Sequence, residues 1–424
     1  MQNAPTKRIL FVHHRSELSG ASTSLSYLIR NLDRGRFEPH VYCPPGAAAE
    51  LFREAGATLH EGTVAGFTHI WASTYHGLRW LLLLRELGLL PAHVVAFRRV
   101  LREGRLDLVH LNDSPLIPAA WLSRRAGKPV VWHLRSAPPN QGRDRRSRLV
   151  RKAFLRLGDG FVAINDDVAR LWNVPAVVVP NAVDLAHFHP GESRAARVAA
   201  DLPLDRPVVS YFGYIYLFKG FHEFIGAASL IRERGTDATY LVVGGGVRSA
   251  AFFRSPLGVV LRLLGLAHDQ EAEARELVRT LGLEDSFRFL PFTHDTAELF
   301  RASDVVVAPS QGPEISRPML EGAASGVAVI GTGTKTGGGI LEPGRTTVLA
   351  EDSSSEAIAQ AVTELLDDPE RRQAIGAAAR EHAAHMFDPA RIARRIERIY
   401  ERLLEPHAES EEEAAGLSAA SARR

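Results

Sequence analysis

The chain has 424 residues, 45% of them hydrophobic and 24% charged, which excludes fibrous, coiled-coil and wholly disordered classes and predicts roughly two or three globular domains. Fifty-one Lys and Arg residues against 49 Asp and Glu residues give a formal net charge of +2, so the composition does not indicate a nucleic-acid partner. The single cysteine, Cys43, cannot form an internal disulfide, which favours a reducing, cytoplasmic compartment.

Short apolar runs alternate with longer amphipathic stretches along the first half of the chain, which is typical of parallel strands joined by helices. Runs such as VVW and AVVVP are almost continuously apolar, as expected of strands that helices cover on both faces. The predicted strands are Arg8–His13, Pro39–Cys43, Leu106–Leu111, Pro129–His133, Gly160–Ile164 and Ala176–Val179, and the predicted helices are Ser22–Leu32, Ala47–Ala55, Leu116–Ala126 and Ser147–Leu157.

The same pattern restarts after a join near Asn181–Arg206, a segment rich in Pro, Gly, Asp and His. We therefore predict two doubly wound α/β domains, residues 1–185 and 186–387, which face each other across a ligand-binding cleft. The predicted strands of the second domain are Pro207–Gly213, Thr239–Gly244, Ser286–Leu290, Asp304–Ala308, Val327–Gly331 and Thr347–Ala350.

Three segments do not fit a bare α/β core. Val64–Arg105 and Arg248–His268 contain long apolar stretches, which favours core-packing helices over a lid, a partner surface or an interfacial membrane helix. Residues 405–424 are acidic and then small and polar, which is typical of a disordered tail. The start of the chain is polar and no apolar run reaches about 18 residues, so we expect neither an export signal nor a membrane span.

The densest cluster of candidate functional residues is PSQGPEISRPMLEGAASG, residues 309–326, directly after a predicted strand. A helix is predicted to begin at Arg317, with Ser316 as its cap and Pro318 in its first turn. The free N–H groups and the positive dipole at such a helix start favour a bound phosphate.

Charged side chains near this helix are further candidates. Glu314 precedes the helix and Glu321 lies inside it; a carboxylate can accept two hydroxyl hydrogen bonds from a sugar, while solvated surface acids are an equal alternative from spacing alone. Lys219 lies in YFGYIYLFKGFHEF, between a strand and a helix at the carboxyl edge of the second sheet. Its ammonium would neutralise a diphosphate leaving group, and the alternative is an ordinary solvated lysine.

Glycine-rich turns and histidines are weaker candidates. The triplets Gly244–Gly246 and Gly337–Gly339 would let backbone N–H groups approach an anion, although such triplets are often plain turns. Ser19–Ala21 resembles a phosphate loop only loosely. His110 and His133 end predicted strands of the first domain, where a structural role has about equal weight, and their separation does not indicate a metal site.

Taken in order, these segments resemble a family 4 retaining glycosyltransferase of the GT-B fold over residues 7 to 404. A final helix over residues 388–404 resembles the one that crosses back to the first domain in that family. The segments that carry the resemblance are SGASTSLSYLIRNL, DLVHLN, VVWHLRS, VVPNAVDLAHFHP, YFGYIYLFKG, LVVGGG, FLPFTHDTAELFRASDVVVAPS, PEISRPMLEGAASGVAVIGT and GGGILEPGRTTVLAEDSSSEAIAQAVTELLDDPE.

The resemblance implies that the second domain binds a UDP- or GDP-linked sugar and the first binds the acceptor, with no cofactor and no essential metal. Lys219 matches the family's phosphate-binding lysine, Glu321 the glutamate that usually holds the ribose, and His133 the histidine that contacts the donor sugar. Gly20 falls in the loop that closes over the reaction centre in that family. The predicted catalytic residues are His133, Lys219 and Glu314, and the predicted donor-binding residues are Gly20, Gly213, Tyr214, Gly245, Arg317, Pro318 and Glu321.

The chain departs from the family pattern at two places. The family usually carries Arg before the lysine, in GRxxxxKG or GRxxxKG, whereas Tyr214 stands at that position here, and Arg317 would replace the missing charge. Glu314 and Glu321 are separated by six residues where the family's E-x7-E motif has seven, and a one-residue deletion before Arg317 restores the match.

The resemblance implies front-face displacement, in which the leaving diphosphate helps to deprotonate the acceptor hydroxyl, because no enzyme carboxylate stands out as a nucleophile. A glycan or a lipid-linked acceptor is expected, and Trp71–Phe97 and Phe252–Leu266 would suit peripheral contact with the inner face of a membrane. The alternatives are a nucleotide-sugar epimerase or glycosyl phosphorylase on the same fold, and a non-catalytic glycan-binding relative. A dinucleotide-dependent dehydrogenase is a distant third, since its first-strand fingerprint is absent.

Overall fold

The computed structural model describes residues 5–67, 80–216, 219–246, 248–263, 265, 267–293, 295–333 and 339–405, apart from the side chains of residues 80–82 and 140. Within these ranges the chain forms two compact units. The first comprises the residues up to Ala182 together with those from Pro389 onward, and the second comprises Val183–Asp388. Trp71, the first two glycines of the triplet at 337–339, and the predicted tail beyond residue 405 lie outside the described residues.

Strands and helices alternate through both units. The elements up to residue 178 are β1 (Lys7–Val12), α1 (Gly20–Arg30), β2 (Phe37–Cys43), α2 (Ala47–Glu54), β3 (Thr58–Glu61), α3 (Trp80–Glu103), β4 (Leu108–Leu111), α4 (Ile117–Arg125), β5 (Val130–Leu134), α5 (Arg145–Leu157), β6 (Gly160–Ala163), α6 (Asp166–Trp172) and β7 (Val177–Val178). The later elements are α7 (Ser193–Ala199), β8 (Val208–Phe212), α8 (Phe221–Glu233), β9 (Thr239–Val243), α9 (Ala250–Arg254), α10 (Pro256–Leu263), α11 (Gln270–Thr280), β10 (Phe287–Leu290), α12 (Ala297–Ala302), β11 (Val305–Ala308), α13 (Arg317–Ala324), β12 (Ala328–Thr332), β13 (Val348–Ala350), α14 (Ser355–Asp367), α15 (Pro369–Met386) and α16 (Pro389–Leu404).

Each unit contains one parallel sheet. In the described part of the first unit, seven strands pair in the order β3-β2-β1-β4-β5-β6-β7. In the described part of the second, six strands pair in the order β10-β9-β8-β11-β12-β13. The strand order reverses beside β1 and beside β8, and the carboxyl ends of strands at such a reversal are where doubly wound sheets bind ligands.

Alternate residues of β1 pack on opposite faces of the first sheet. Ile9 and Phe11 belong to the core beneath α1, α2 and α16, whereas Leu10 and Val12 belong to the core beneath α3, α4 and α5. Because helices cover both faces, the strand sequence is continuously apolar instead of alternating with polar residues. The same double covering explains why all twelve predicted strands are present within two residues of their predicted ends.

Strand β3 and the start of helix α1 differ from prediction for local reasons. Strand β3 was not predicted, because TLHE at the edge of the sheet is polar and only partly buried. Helix α1 begins two residues earlier than predicted, at Gly20, because Ser19 and Ser22 form a reciprocal capping box. The sequence predicted that Gly20 lies in a loop, whereas it is the first residue of helix α1.

The two apolar segments behave differently. In α3, Phe97 and Leu101 pack into the core of the first unit, as predicted. In α10, however, the side chains of Leu257, Val260 and Leu263 are exposed, so the prediction of a core-packing helix is wrong there. The buried residue of this short helix is Gly258, which has no side chain, so the helix has little apolar surface to bury inward.

Close backbone contacts join the loops that follow β8 and β9. Gly213 donates its N–H to the carbonyl of Val243 at 2.9 Å, and Ile215 donates to the carbonyl of Gly245 at 3.0 Å. Gly244 has a φ of +149°, and a Cβ at this position would lie 1.9 Å from the carbonyl oxygen of Gly213. Glycine at position 244 is therefore what allows the two loops to lie against each other.

We expect Gly244→Ala to destabilise the second unit, because the added Cβ meets backbone that cannot move aside and the φ angle is unfavourable for alanine. A loss of about 2 kcal/mol or more would lower the unfolding midpoint by roughly 5 °C. The adjacent Gly245→Ala is the matched control, since its Cβ would meet only the Glu271 carboxylate at 3.4 Å. Scanning calorimetry of both variants tests this, and equal midpoints would contradict the proposed backbone contact.

Candidate functional site

The candidate residues of the second unit lie where β8 and β11 end. Lys219 is followed by Gly220, which has a φ of +70° and precedes helix α8; a Cβ at Gly220 would lie 2.2 Å from the carbonyl oxygen of Pro309. The amide of Gln311 also donates to the Glu223 carboxylate at 3.2 Å. The loop that carries Lys219 is thus packed directly against the segment that leads into α13.

The electrostatic environment of Lys219 links these two segments. Its side chain is exposed over much of its surface, yet the surrounding protein withdraws solvent from the ammonium and lowers its pKa from the ordinary value. The carboxylate of Glu314 acts in the opposite direction and favours the charged form. An anion bound beside Lys219 would also favour the charged ammonium. Because this ammonium is poorly hydrated, its attraction to an anionic ligand is stronger than that of a fully hydrated lysine.

Helix α13 begins at Arg317 as predicted and ends at Ala324. Ser316 occupies the N-cap position with an extended backbone, but within the described residues its hydroxyl makes no capping hydrogen bond. Arg317 instead pairs with Glu321 one turn later, with Nη2 2.7 Å and Nε 2.9 Å from Oε1. Both side chains are largely buried, at 12% and 13% exposure, so this pair is held far more firmly than a surface ion pair.

Tyr214, which stands where the family usually has Arg, is half of an exposed aromatic pair. Its ring stacks on Phe292 with 5.7 Å between ring centroids and an interplanar angle of 5°. Tyr211 also donates its hydroxyl hydrogen to the Tyr214 carbonyl at 2.8 Å, which fixes the backbone at this position. The sequence did not single out Phe292, because a lone aromatic residue after a strand has no distinguishing motif.

The glycine triplet after β9 is held within the protein. Gly244 donates its N–H to the Leu290 carbonyl at 3.0 Å, and Gly246 donates to the Glu271 carboxylate at 2.8 Å. These two amides therefore do not serve a bound anion, and of the triplet only Gly245 stays a donor-site candidate. The pKa of Glu271 is lowered overall: burial would raise it, but the hydrogen bonds from Gly246 and Arg275 outweigh that effect.

In the first unit, a buried hydrogen-bonded chain joins residues from three elements. Tyr400 on α16 lies 2.7 Å from His110 Nδ1 on β4, and His110 Nε2 lies 3.2 Å from His133 Nδ1 on β5. Burial lowers the pKa of His110 to about 3 and that of His133 well below its usual range, and the nearby Arg135 guanidinium acts in the same direction. Both imidazoles are therefore neutral at physiological pH. Burial also raises the pKa of Tyr400, which stays a phenol.

The positions of the hydrogens follow from Arg135, whose guanidinium can only donate. Its Nη2 lies 3.5 Å from His133 Nδ1, so this nitrogen is the acceptor of the neutral ring. His110 Nε2 then carries the hydrogen that His133 Nδ1 accepts, and Tyr400 donates to His110 Nδ1. The remaining hydrogen of His133 lies on Nε2, which is buried and has no hydrogen-bond partner among the described residues. His133 thus presents a single N–H donor of fixed direction.

Asn112 connects this chain to the start of α1. It accepts a hydrogen bond from Arg135 Nε at 2.5 Å, and its amide nitrogen lies 3.0 Å from His13 Nδ1 and 3.3 Å from the Ala21 carbonyl, to which it donates. Ala21, the neighbour of Gly20, and His133 are therefore joined through one polar network. The sequence placed His133 at the carboxyl end of a strand and Gly20 in the loop before the first helix, but it did not identify Tyr400, which is 290 residues from its partner His110.

Two protein-family models match this chain, one in each half. The family model described as "Glycosyltransferase Family 4" matches residues 18–187, and the model "Glycosyl transferases group 1" matches residues 192–382. A D-inositol 3-phosphate glycosyltransferase of Kineococcus radiotolerans is 30% identical over 355 residues, which are 74% of this chain and 76% of the relative. D-inositol 3-phosphate glycosyltransferase 2 of Catenulispora acidiphila is 29% identical over 360 residues, 80% of each chain.

The fold comparison agrees. Anabaena HepE, solved in complex with UDP and glucose, has a TM-score of 0.73 and 20% sequence identity to this chain, covering 92% of it and 98% of HepE. At that identity the similarity concerns the fold, and it establishes the GT-B architecture of two parallel-sheet α/β domains.

We expect Tyr400→Phe to release the hydrogen order of the histidine chain, because His110 Nδ1 loses its donor. Nitrogen-15 NMR of labelled protein should show that the Nε2–H form of His110 drops from dominant to a mixture of tautomers, whereas His133, whose Nδ1 still accepts from Arg135, keeps its Nε2–H form. Tyr42→Phe is the matched control, since this equally buried phenol donates to the Thr63 carbonyl at 2.7 Å. Each variant should lose about 1 kcal/mol of stability. A His110 spectrum that is unchanged in Tyr400→Phe would contradict the assigned order.

Proposed function

We propose that this chain, which belongs to glycosyltransferase family 4, moves a sugar from a UDP- or GDP-linked donor to a hydroxyl acceptor, with retention of configuration and without a metal ion. The main support for a donor site is the close contact between Gly220 and Pro309, because it puts Lys219 beside the segment that leads into α13. The UDP bound in HepE supports a nucleotide-linked donor.

The diphosphate of the donor binds between Lys219 and the start of α13. Lys219 supplies a positive charge that the protein leaves poorly hydrated, and the helix start adds a partial positive charge. Tyr214 brings no charge, so this site carries one cation fewer than the family pattern. Desolvation makes each remaining charge more effective than it would be in water.

The ribose of the nucleotide is held by Glu321. A carboxylate can accept hydrogen bonds from both ribose hydroxyls, and Arg317 fixes its orientation through a hydrogen bond from Nε and an ion-pair contact from Nη2 to the same oxygen. Glu314, which lies near enough to Lys219 to favour its charged form, is assigned to a hydroxyl of the transferred sugar. In this assignment Arg317 acts through Glu321.

The reaction balances without an enzyme nucleophile. The acceptor oxygen forms a bond to the anomeric carbon as the bond between that carbon and the diphosphate oxygen breaks, on the same face of the sugar. The acceptor's proton passes to the departing phosphate oxygen. Lys219 stabilises the charge that develops on the diphosphate, and His133 Nε2–H donates to a substrate hydroxyl.

The acceptor is a hydroxyl of a glycan, a lipid-linked sugar or a small polyol. The inositol phosphate in the names of the two relatives justifies including inositol phosphates in an acceptor screen. Product analysis with and without acceptor separates transfer from epimerisation, since an epimerase would convert the donor sugar without any acceptor present.

We expect Lys219→Ala to weaken UDP binding by about ten- to a hundredfold, the loss typical of a charge-assisted hydrogen bond, while uridine binding stays unchanged. Isothermal titration calorimetry with both ligands measures this directly. Lys128→Ala, which removes the same charge from the first unit, is the control and should bind UDP as the wild type does. Equal UDP affinity in a folded Lys219→Ala variant would refute the diphosphate site.

Arg317→Ala should give a different pattern. If Arg317 orients Glu321, its removal weakens uridine and UDP by similar factors, on the order of tenfold, because Glu321 then holds the ribose, which both ligands share, less firmly. If Arg317 instead replaces the missing phosphate-binding Arg, UDP binding falls and uridine binding does not. We expect the first pattern, and the ratio of the two affinity losses decides between the two roles.

A further inference from the structure

Helices α3, α4 and α5 lie side by side on one face of the first sheet. Each contributes to the same core, through Phe97 on α3, Leu122 on α4 and Phe154 on α5. Helix α3 packs on α4, and α4 packs on α5. Their outer sides therefore form one continuous surface, which we call the α3–α5 surface.

The α3–α5 surface exposes large apolar side chains. Val95 is 72% exposed and Leu149 is 68% exposed, values unusual for residues of this size. Such side chains scattered singly need no explanation, but a group on adjoining helices marks an interaction site. The exposed apolar residues of this surface are Leu84, Leu87, Val95, Trp121, Leu149 and Leu155.

The same surface is strongly basic. Helices α4 and α5 contain no acidic residue, and α3 contains only Glu86, which is buried, and Glu103, which pairs with Arg99 at 3.0 Å. Beside them, Asp159 pairs with Arg124 at 2.6 Å. The exposed cations of these helices are Arg85, Arg98, Arg99, Arg102, Arg124, Arg125, Arg145, Arg148, Lys152 and Arg156.

On α5 the two kinds of side chain share one stripe. Arg145, Arg148, Leu149, Lys152 and Leu155 are exposed, at spacings of three and four residues that place them along the outer side of the helix. A purely basic stripe would suit nucleic acid or an acidic protein, and neither requires leucines at its centre. Leucines between cations suit the boundary between lipid headgroups and acyl chains.

Helix α4 adds an aromatic residue of the same kind. The Arg125 guanidinium lies 4.2 Å from the centre of the Trp121 ring, and Trp121 is 40% exposed. A tryptophan ring beside a cation is suited to an interface that is apolar on one side and polar on the other.

We propose that the α3–α5 surface docks on the face of a bilayer that contains anionic phospholipid. The leucines and Trp121 enter the headgroup region, and the arginines and Lys152 contact lipid phosphates, each attracted by a negative surface potential. This goes beyond the proposed transfer reaction, because it assigns a lipid surface to a face of the first unit that the sugar-transfer site does not use. Among the described residues, none of the helices combines the length and apolar character needed to cross a bilayer.

The test is flotation of the full chain with unilamellar vesicles of phosphatidylcholine, with or without about 30% phosphatidylglycerol. We expect the chain to float only with the anionic vesicles, and about 1 M salt to weaken binding, since the Debye length then falls to about 3 Å. Arg145→Glu/Arg148→Glu/Lys152→Glu should lower the bound fraction at least tenfold. Leu149→Ser/Leu155→Ser should lower it without any change of charge.

The control is Arg194→Glu/Arg234→Glu/Arg288→Glu, which makes the same change of charge on exposed residues of the second unit outside the apolar segment Phe252–Leu266 and should float as the wild type does. UDP affinity measured on every variant shows that each is folded and keeps the donor site separate from the docking surface. Equal flotation with neutral vesicles, no flotation at all, unchanged flotation of the α5 variants, or an equal loss in the control would each overturn the proposal.

Discussion

The candidate donor site depends on one backbone contact, the approach of Gly220 to the carbonyl of Pro309. A side chain at position 220 would overlap that carbonyl, and the positive φ excludes most residues independently. The contact ties the loop after β8 to the segment after β11, on two strands that are neighbours at the point where the strand order reverses. Lys219 on one side and Arg317 and Glu321 on the other are therefore positioned by strand order and by a glycine.

The candidate residues of the two units differ in charge and in exposure to solvent. In the second unit, Lys219 is charged, exposed and poorly hydrated, which suits a group that a ligand is to neutralise. In the first unit, His110 and His133 are buried and neutral, and their hydrogens are ordered by Tyr400 and Arg135. A neutral donor of fixed direction can recognise a hydroxyl without competing for the diphosphate. This arrangement makes the fold sensitive to acid, because the pKa values of both histidines in the folded protein lie below the unfolded value near 6.5. As the pH falls from about 6.5 towards 3, the unfolded state takes up more protons than the folded state, and the free energy of unfolding declines.

The sequence was sufficient for the strands, for the helix beginning at Arg317 and for the order of the family segments, because buried parallel strands and ordered motifs leave strong local patterns. It was not sufficient for contacts between distant residues. Tyr400 and His110 are far apart in the chain, and the capture of the Gly246 amide by Glu271 has no motif. The Arg317–Glu321 pair had a usable signal, since residues four apart meet on one side of a helix, but spacing alone does not show that the pair is buried.

The net charge of the whole chain is likewise a poor guide to where the charges lie on the folded protein. The chain is close to neutral, and that balance did not indicate a nucleic-acid partner. The structure separates the charges: the cations of α3, α4 and α5 gather on one outer surface while acids such as Glu271 and Glu276 lie on α11. A surface potential depends on charges within about a Debye length of each other, so an average over the whole chain cannot predict it. The positive charge of these helices does not by itself distinguish a lipid surface from another polyanion. The exposed side chains of Leu149 and Leu155 do, because their contact with water costs free energy and only an apolar environment removes that cost.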